Sequence, residues 1–223
     1  MSIQENLSAL LKELPPNVRL VAVSKTRPVE EILEAYRAGQ RLFGENRAQE
    51  MKEKHPQLPS DIRWHFIGHL QTNKVKYIAD FVDTIESIDT PRLLDEVNRE
   101  ALRRHRVIRC LIQFHIAREE TKSGFLPEEA RDFLASDGFR ELRNIRIAGV
   151  MGMASLTCDR QAIRDEFSAL RGYFRELRET FFAGDQDFSE ISMGMSGDYR
   201  IAIEEGSTLV RIGTAIFGER DGK

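Results

Sequence analysis

The sequence predicts a (β/α)8 barrel of the TIM type, formed by residues 1–223 as a single domain with an extra helix at the N-terminus. Eight short apolar segments alternate with helical patterns along the chain. Several, such as Leu20-Val21-Ala22-Val23, are apolar on both faces, which is typical of parallel strands buried on both sides. A length of 223 residues suits one α/β barrel. An open doubly wound sheet is the alternative, but so many short strands in so few residues favour closure.

The elements follow in order from the N-terminus. Residues 1–16 have an amphipathic helix pattern and lack the basic start and unbroken apolar run of a signal peptide. Thr90-Pro91 is typical of a helix N-cap followed by a first-turn proline, and Leu126-Pro127 opens another helix in the same way. An apolar stripe at steps of three and four between residues 163 and 181 predicts a longer helix. The predicted strands are residues 20–24, 41–44, 64–68, 84–88, 108–114, 145–150, 190–193 and 209–212.

The composition excludes several classes of protein. With 33 basic and 36 acidic residues the formal net charge is −3, whereas a nucleic-acid-binding protein usually carries a basic excess. No stretch is long and apolar enough to span a membrane. Cys110 and Cys158 lack the spacing of metal ligands, so we interpret them as two reduced thiols of a cytoplasmic protein.

Lys25 ends the first predicted strand, in the run Val21-Ala22-Val23-Ser24-Lys25-Thr26. In a strand it shares a face with Val21 and Val23. If that face points into the barrel, the ammonium lies at the carboxyl-terminal mouth, where desolvation favours the neutral amine that can attack an aldehyde. The alternative is a solvated lysine that opens a loop, which is how many strands end.

Two glycine-rich turns in the C-terminal quarter are typical of a phosphate site. Ser192-Met193-Gly194-Met195-Ser196-Gly197-Asp198 follows the seventh strand and precedes a short predicted helix at 199–205, and Gly213-Thr214 follows the eighth. Glycines allow backbone amides to approach a ligand, and Ser196 and Thr214 add hydroxyl groups. Barrels frequently bind phosphate with the loops after strands seven and eight.

Three further positions have both a structural and a functional interpretation. Arg211 lies between apolar neighbours and needs a partner: either an ion pair, with Glu190 as one possibility, or a ligand ring nitrogen. Asn46 is either a helix N-cap or a donor to a ligand oxygen. His65 and His69 are spaced four apart, but the strand-to-loop turn between them breaks the geometry of a zinc pair, so we interpret them as core and loop histidines.

Seven motifs occur in an order that resembles the pyridoxal 5′-phosphate (PLP) homeostasis proteins, a family related to the N-terminal barrel of alanine racemases. The motifs are LVAVSKT at 20–26, FGEN at 43–46 with QE at 49–50, WHFIGHLQTNK at 64–74, KSG at 122–124, GVMGM at 149–153, SMGMSGD at 192–198 and VRIGTAIFG at 210–218. The resemblance runs nearly end to end. Arg27 and Arg47-Ala48 depart from the family pattern, outside the proposed cofactor contacts.

The resemblance implies a fold-type-III PLP barrel in which Lys25 forms the Schiff base. Arg211 would face the pyridine nitrogen, and Asn46 would lie near the phenolic oxygen. Lys122 matches a second lysine of the family pattern, and its role stays open. The phosphate would be held by Ser196, Gly213 and Thr214, and Met195 in the same loop is counted among the cofactor-binding residues.

The predicted role is intracellular PLP homeostasis, by buffering or delivery to apo-enzymes, without robust catalysis. An arginine at the pyridine nitrogen leaves that nitrogen unprotonated and the ring a poorer electron sink. The chain ends at Lys223 soon after the eighth strand, so we expect no second domain with a further acid or base, and a monomer. The alternatives are a weak PLP-dependent amino-acid racemase or lyase and a PLP-responsive regulatory partner protein. No nucleic-acid or membrane partner is expected.

Overall fold

The computed structural model describes residues 2–118 and 123–219. Eight parallel strands pair in chain order, and β1 pairs with β8 to close the barrel. The strands are β1 Arg19–Val23, β2 Leu42–Glu45, β3 Arg63–Phe66, β4 Thr84–Ile88, β5 Ile108–Gln113, β6 Ile145–Met151, β7 Glu190–Ser192 and β8 Leu209–Ile212. The predicted fold class is confirmed, and the open doubly wound alternative is wrong.

Helices follow the strands and surround the barrel. The α-helices are α1 Ile3–Glu13, α2 Val29–Arg37, α3 Ala48–Lys54, α4 Pro91–Arg103, α5 Pro127–Ala135, α6 Asp137–Arg140, α7 Arg160–Thr180, α8 Tyr199–Glu204 and α9 Thr214–Phe217. Short 3₁₀ helices lie at His55–Gln57 and Thr72–Tyr77. Within the described residues, no helix is both long enough and apolar enough to cross a membrane.

The helix boundaries follow the local signals in the sequence. The Thr90 hydroxyl accepts from the Leu93 N–H at 3.3 Å, and proline occupies the first turn of α4. In α7 the predicted apolar stripe is buried from Ile163 to Leu177. Amphipathic helices of this kind are stabilised mainly by burying one face against the barrel.

The extra helix α1 packs beside the closing strands. Its first turn has a capping box, in which Ser2 and Glu5 each accept from the other's backbone N–H. Asn6 donates from its side chain to the Ile216 carbonyl in α9 at 3.0 Å, and the Tyr199 hydroxyl donates to Glu13 at 2.8 Å. These bonds join the first helix of the chain to its last two.

Side chains alternate between the two sides of the barrel wall. Residues such as Ala22 and Phe43 belong to a large core between the strands and the surrounding helices. Leu111, Ala148 and Met151 form a separate apolar cluster, which lies inside the barrel. The polar residues that follow the strands lie at the carboxyl-terminal end of the barrel.

Candidate functional site

Lys25 lies two residues beyond β1, at the carboxyl-terminal mouth of the barrel. The Ser24 N–H donates to the Gly44 carbonyl at 3.0 Å, which extends the contact with β2 one residue past the strand. Thr26 then has a φ of 65°, a left-handed conformation that is uncommon for residues other than glycine. The strand therefore ends one residue earlier than predicted, at Val23, and the half-buried Lys25 side chain projects from the turn that follows it.

Lys25 lines a cavity of about 280 Å³ at the mouth. The cavity brings together all seven predicted cofactor-binding residues, which come from four separate parts of the chain. They are Lys25, Asn46, Met195, Ser196, Arg211, Gly213 and Thr214. Val23, Ile67, Met153 and Gly197 complete the lining.

One side of the cavity is rich in hydrogen-bond donors. The Ser196 and Gly197 N–H groups, and the hydroxyls of Ser196 and Thr214, form no hydrogen bond within residues 2–118 and 123–219. A Cβ at Gly213 would lie 3.0 Å from the Val23 carbonyl oxygen, so the backbone approaches β1 closely there. Unengaged amides and hydroxyls on the loops after two adjacent strands are donors suited to the oxygens of a phosphate.

The loop after β7 depends on Gly194. Its φ of 95° is in the left-handed region. A Cβ at this position would lie 2.6 Å from the Ala202 Cβ and 2.9 Å from the Tyr199 Cα. The loop continues into α8 through the Met195 N–H, which donates to the Asp198 carboxylate at 2.6 Å. Glycine thus allows the loop to pack on α8 while Ser196 stays exposed at the cavity.

Arg211 is buried inside the barrel, with 3% of its surface exposed. Its guanidinium donates to the Ser192 hydroxyl and, at 2.9 Å, to the Gly152 carbonyl. The nearest carboxylate is Glu86, at 3.7 Å. Burial lowers the pKa of Arg211, and the negative charges of Glu86 and Asp198 oppose that shift.

Glu86 links Arg211 to His65. The Ser192 hydroxyl donates to one carboxylate oxygen of Glu86 at 2.5 Å, and the His65 Nδ1 contacts the other at 2.6 Å. Burial alone would raise the pKa of Glu86, but His65, Arg211 and Ser192 together lower it below its ordinary value. The result is a polar network buried beneath the cavity.

The suggested ion pair between Arg211 and Glu190 is wrong. Glu190 begins β7 and contacts Arg19 and Arg109 instead, the latter at 3.2 Å. A strand rises about 3.3 Å per residue, so Ser192 lies higher on the same face than Glu190. Ser192 therefore reaches Arg211, while Glu190 stays at the amino-terminal end of the barrel.

A second buried charge cluster lies directly behind Lys25. The Lys54 Nζ donates to Glu45 at 2.8 Å, to Glu50 at 2.6 Å and to the Ser24 carbonyl at 2.9 Å. The Ser24 hydroxyl donates to Glu45 at 2.7 Å, and the Thr26 N–H donates to Glu50 at 2.5 Å. Both chain neighbours of Lys25 are therefore held by this cluster.

Asn46 is not a helix N-cap. Arg47 precedes α3, and no side chain caps that helix. The Asn46 Oδ1 is buried and has no hydrogen-bond partner in the described part of the chain. Because buried amides are usually satisfied, this side chain has capacity to bind a polar ligand group.

The histidines occupy the positions predicted for them. His65 is buried in the barrel, and His69 is an exposed loop residue whose Nδ1 lies 3.0 Å from Asp89. No group of three potential metal ligands occurs among the residues that the structure describes. Cys110 is buried and Cys158 exposed, and both are free thiols.

Sequence reasoning missed Glu86 and the Lys54 cluster. Glu86 had a detectable signal, because a carboxylate in the middle of a predicted buried strand, between Ile85 and Ile88, needs a buried partner. Lys54 had none, since it is one charge among several on a short polar helix. The prediction for Lys122 lies outside the described residues.

Comparisons with known proteins agree with this geometry. The family model of the alanine racemase N-terminal domain matches residues 1–221. A pyridoxal phosphate homeostasis protein of Aquifex aeolicus is 40% identical over 203 residues, which cover 91% of this chain and 87% of that protein. A protein of the same name from Pasteurella multocida is 37% identical over 234 residues, covering 99% of each chain. The solved structure of PipY from Synechococcus elongatus, with PLP bound, is 36% identical with a TM-score of 0.89, and the match covers 97% of this chain and 100% of that one.

Proposed function

The chain belongs to the family of the alanine racemase N-terminal domain, and on that premise we propose that it binds PLP as a Schiff base on Lys25 and serves intracellular PLP homeostasis. The names of the relatives and the PLP bound to PipY support this proposal. The observation that carries it is the single cavity that Lys25 lines together with Ser196 and Thr214, whose donors are unengaged within the described residues.

The residues of the cavity fit PLP in size and in chemistry. PLP carries a phosphate, a ring nitrogen and an aldehyde, and the aldehyde condenses reversibly with an amine. Ser196, Gly213 and Thr214 would hold the phosphate, and Met195 would contact the cofactor from the same loop. The buried Arg211 would donate to the ring nitrogen.

Asn46 provides a further test of the fit. Its amide has a buried oxygen without a partner in the described part of the chain, and the oxygen and nitrogen of an amide can exchange places when no hydrogen bond fixes them. A polar ring substituent such as the phenolic oxygen would satisfy one end of this amide. The protein's contribution at this site is to bind and orient, with Lys25 as the reactive amine.

We propose that catalysis is at most weak. Among the described residues that line the cavity, Lys25 and Arg211 are the ionisable ones, and an arginine stays charged, which leaves Lys25 as the one candidate acid or base. Two-sided proton transfer, as in a racemase, needs a second acid or base. Buffering of PLP and delivery to apo-enzymes need only reversible binding, and a cytoplasmic monomer would suffice for both.

The experiment that tests the proposal is a PLP titration of the purified protein beside Lys25→Ala. We expect a Schiff-base absorbance band in the wild type, and after borohydride reduction a pyridoxyl group on the peptide that contains Lys25. The band should be lost in the variant. Reduction that labels several surface lysines equally, or a band of equal size in the variant, would refute the role of Lys25. Assays with amino acids, in which turnover lost in Lys25→Ala would reveal an enzyme, test the carrier role separately.

A further inference from the structure

A second cavity, of about 300 Å³, lies beside the cofactor cavity. The two share Asn46 as a common wall. The rest of its lining comes from residues 47–49 and from the segment 66–74, which belongs to the WHFIGHLQTNK motif. The cofactor cavity uses only Ile67 of that motif, so the proposed function leaves most of the motif unexplained.

The floor of this second cavity is apolar and its rim is cationic. Phe66 and Leu70, at 1% and 2% exposure, form the floor. Arg47 and Lys74 supply positive charge at the rim, and among residues 2–118 and 123–219 no aspartate or glutamate lines the cavity. In residues 2–118 and 123–219, neither Arg47 nor Lys74 forms an ion pair with a carboxylate.

Lys74 belongs to a group of like charges. The ammonium groups of Lys52, Lys74 and Lys76 lie 5.1, 5.3 and 5.4 Å from the centre of the Tyr77 ring. The face of the ring attracts each cation, but the three cations repel one another. An anion at Lys74 would reduce this repulsion, so the local field favours a negatively charged ligand.

Two further polar groups add directionality. His69 is oriented by the 3.0 Å contact of its Nδ1 with Asp89, which leaves Nε2 available to a ligand. The buried Asn46 Oδ1, without a partner in the described structure, lies at the junction of the two cavities. Polar groups that converge above an apolar floor are the usual composition of a small-molecule site.

We propose that the second cavity is a binding site for a small organic anion, whose acidic group is held by Lys74 and Arg47 and whose short apolar body packs on Phe66 and Leu70. The acidic group is a carboxylate or a phosphate. This site goes beyond the proposed function, because it requires no PLP and, apart from Asn46, is lined by residues outside the cofactor cavity.

The test compares Lys74→Gln with Lys76→Gln in the protein without added PLP. Both variants remove one ammonium from the same 3₁₀ helix and the same Tyr77 ring, but only Lys74 lines the cavity. Butyrate, inorganic phosphate and the neutral butyramide are titrated at constant ionic strength. Binding is followed by the NMR signal of the His69 ring, which is assigned by its loss in His69→Gln.

We expect butyrate, phosphate or both to shift the His69 signal to saturation, and butyramide not to do so. Lys74→Gln should weaken anion binding about three- to tenfold, the range for one partly exposed ionic contact. Lys76→Gln should change it less than about twofold, as a screened neighbouring charge would. The anion that binds more tightly identifies the acidic group.

Two outcomes would overturn the proposal. One is the lack of a saturable shift with either anion in the wild type. The other is an equal loss in both lysine variants, together with binding of polyglutamate, which would indicate an extended docking surface for an acidic protein. Because PLP is not part of the titration, either result is independent of whether Lys25 binds the cofactor.

Discussion

Replacing Lys54 by methionine removes the one cation of the cluster behind Lys25. In the wild type its ammonium offsets Glu45, which is fully buried, and the partly buried Glu50. Methionine retains most of the apolar stem of lysine, so the change isolates the charge and its three hydrogen bonds from the packing of α3.

Removing one partner of a buried ion pair costs about 3–5 kcal/mol of folding free energy. Three charge-assisted hydrogen bonds at about 1.5–3 kcal/mol each would sum to more. The estimate of about 3–5 kcal/mol is the better expectation, because Glu45 can take up a proton once the Lys54 ammonium is gone. We therefore predict a loss of about 3–5 kcal/mol for Lys54→Met near pH 8.

The loss should depend on pH in a defined direction. Burial raises the pKa of Glu45, and the charge and hydrogen bond of Lys54 reduce that rise. Without Lys54 the pKa rises further, so the folded variant holds a proton that the unfolded chain has released. Stability of the variant relative to wild type should then fall from pH 5 to pH 8, by at most about 1.4 kcal/mol per pH unit.

Urea unfolding followed by tryptophan fluorescence measures both effects, since Trp64 is the single tryptophan and is buried. Lys52→Met is the matched control, because Lys52 is exposed on the same helix, and it should cost less than about 0.5 kcal/mol. The double variant Glu45→Gln/Lys54→Met should recover most of the loss. A Lys54→Met cost no larger than that of the control, or equal costs at pH 5 and pH 8, would refute the reasoning.

Two further predictions concern the loop after β7 and the network inside the barrel. Gly194→Ala should destabilise the protein by about 2–4 kcal/mol, from the left-handed backbone and the clash with α8, and should weaken PLP binding. Gly172→Ala, where a Cβ meets no atom within 4 Å, should instead stabilise it by about 0.5–1 kcal/mol, and thermal unfolding of both variants checks this pair. Glu86→Gln should cost about 3–5 kcal/mol at neutral pH by leaving Arg211 without its nearest carboxylate. Because the pKa of Glu86 is lowered in the folded state, its contribution is present at neutral pH and is lost as the pH falls through that pKa, so the wild-type and variant stabilities should converge in acid.

The local pattern of apolar residues was sufficient to predict the barrel. Strands buried on both faces appear as continuous apolar runs, and all eight were found within two residues at either end. The largest difference is at β3, which ends at Phe66, whereas the prediction extended the strand to Gly68. The Ile67 side chain is still buried and its N–H still donates to the Glu45 carbonyl at 3.0 Å, so the strand pattern continues past the end of the regular ladder.

Most site residues could be identified because they follow a strand, and the carboxyl ends of all the parallel strands lie at the same end of the barrel. Arg211 is the exception, since it lies within β8. Their partners could not be identified in the same way. Which carboxylate meets Arg211 depends on the height of each residue across a closed barrel, and the sequence does not specify the offset between β4, β7 and β8. Likewise Asn46 precedes a helix, as a cap would, but the chain makes one more extended step before α3 begins.

The pairing of β1 with β8 has a consequence for how the protein is made. Lys25 follows the first strand and Thr214 follows the eighth, so all the residues between them must leave the ribosome before both can line one cavity. A ligand that contacts both sides of this seam binds the closed barrel and not its precursors, and so shifts the folding equilibrium towards closure by mass action. The supply of such a ligand would thereby influence how much of the newly synthesised protein reaches the closed, folded state.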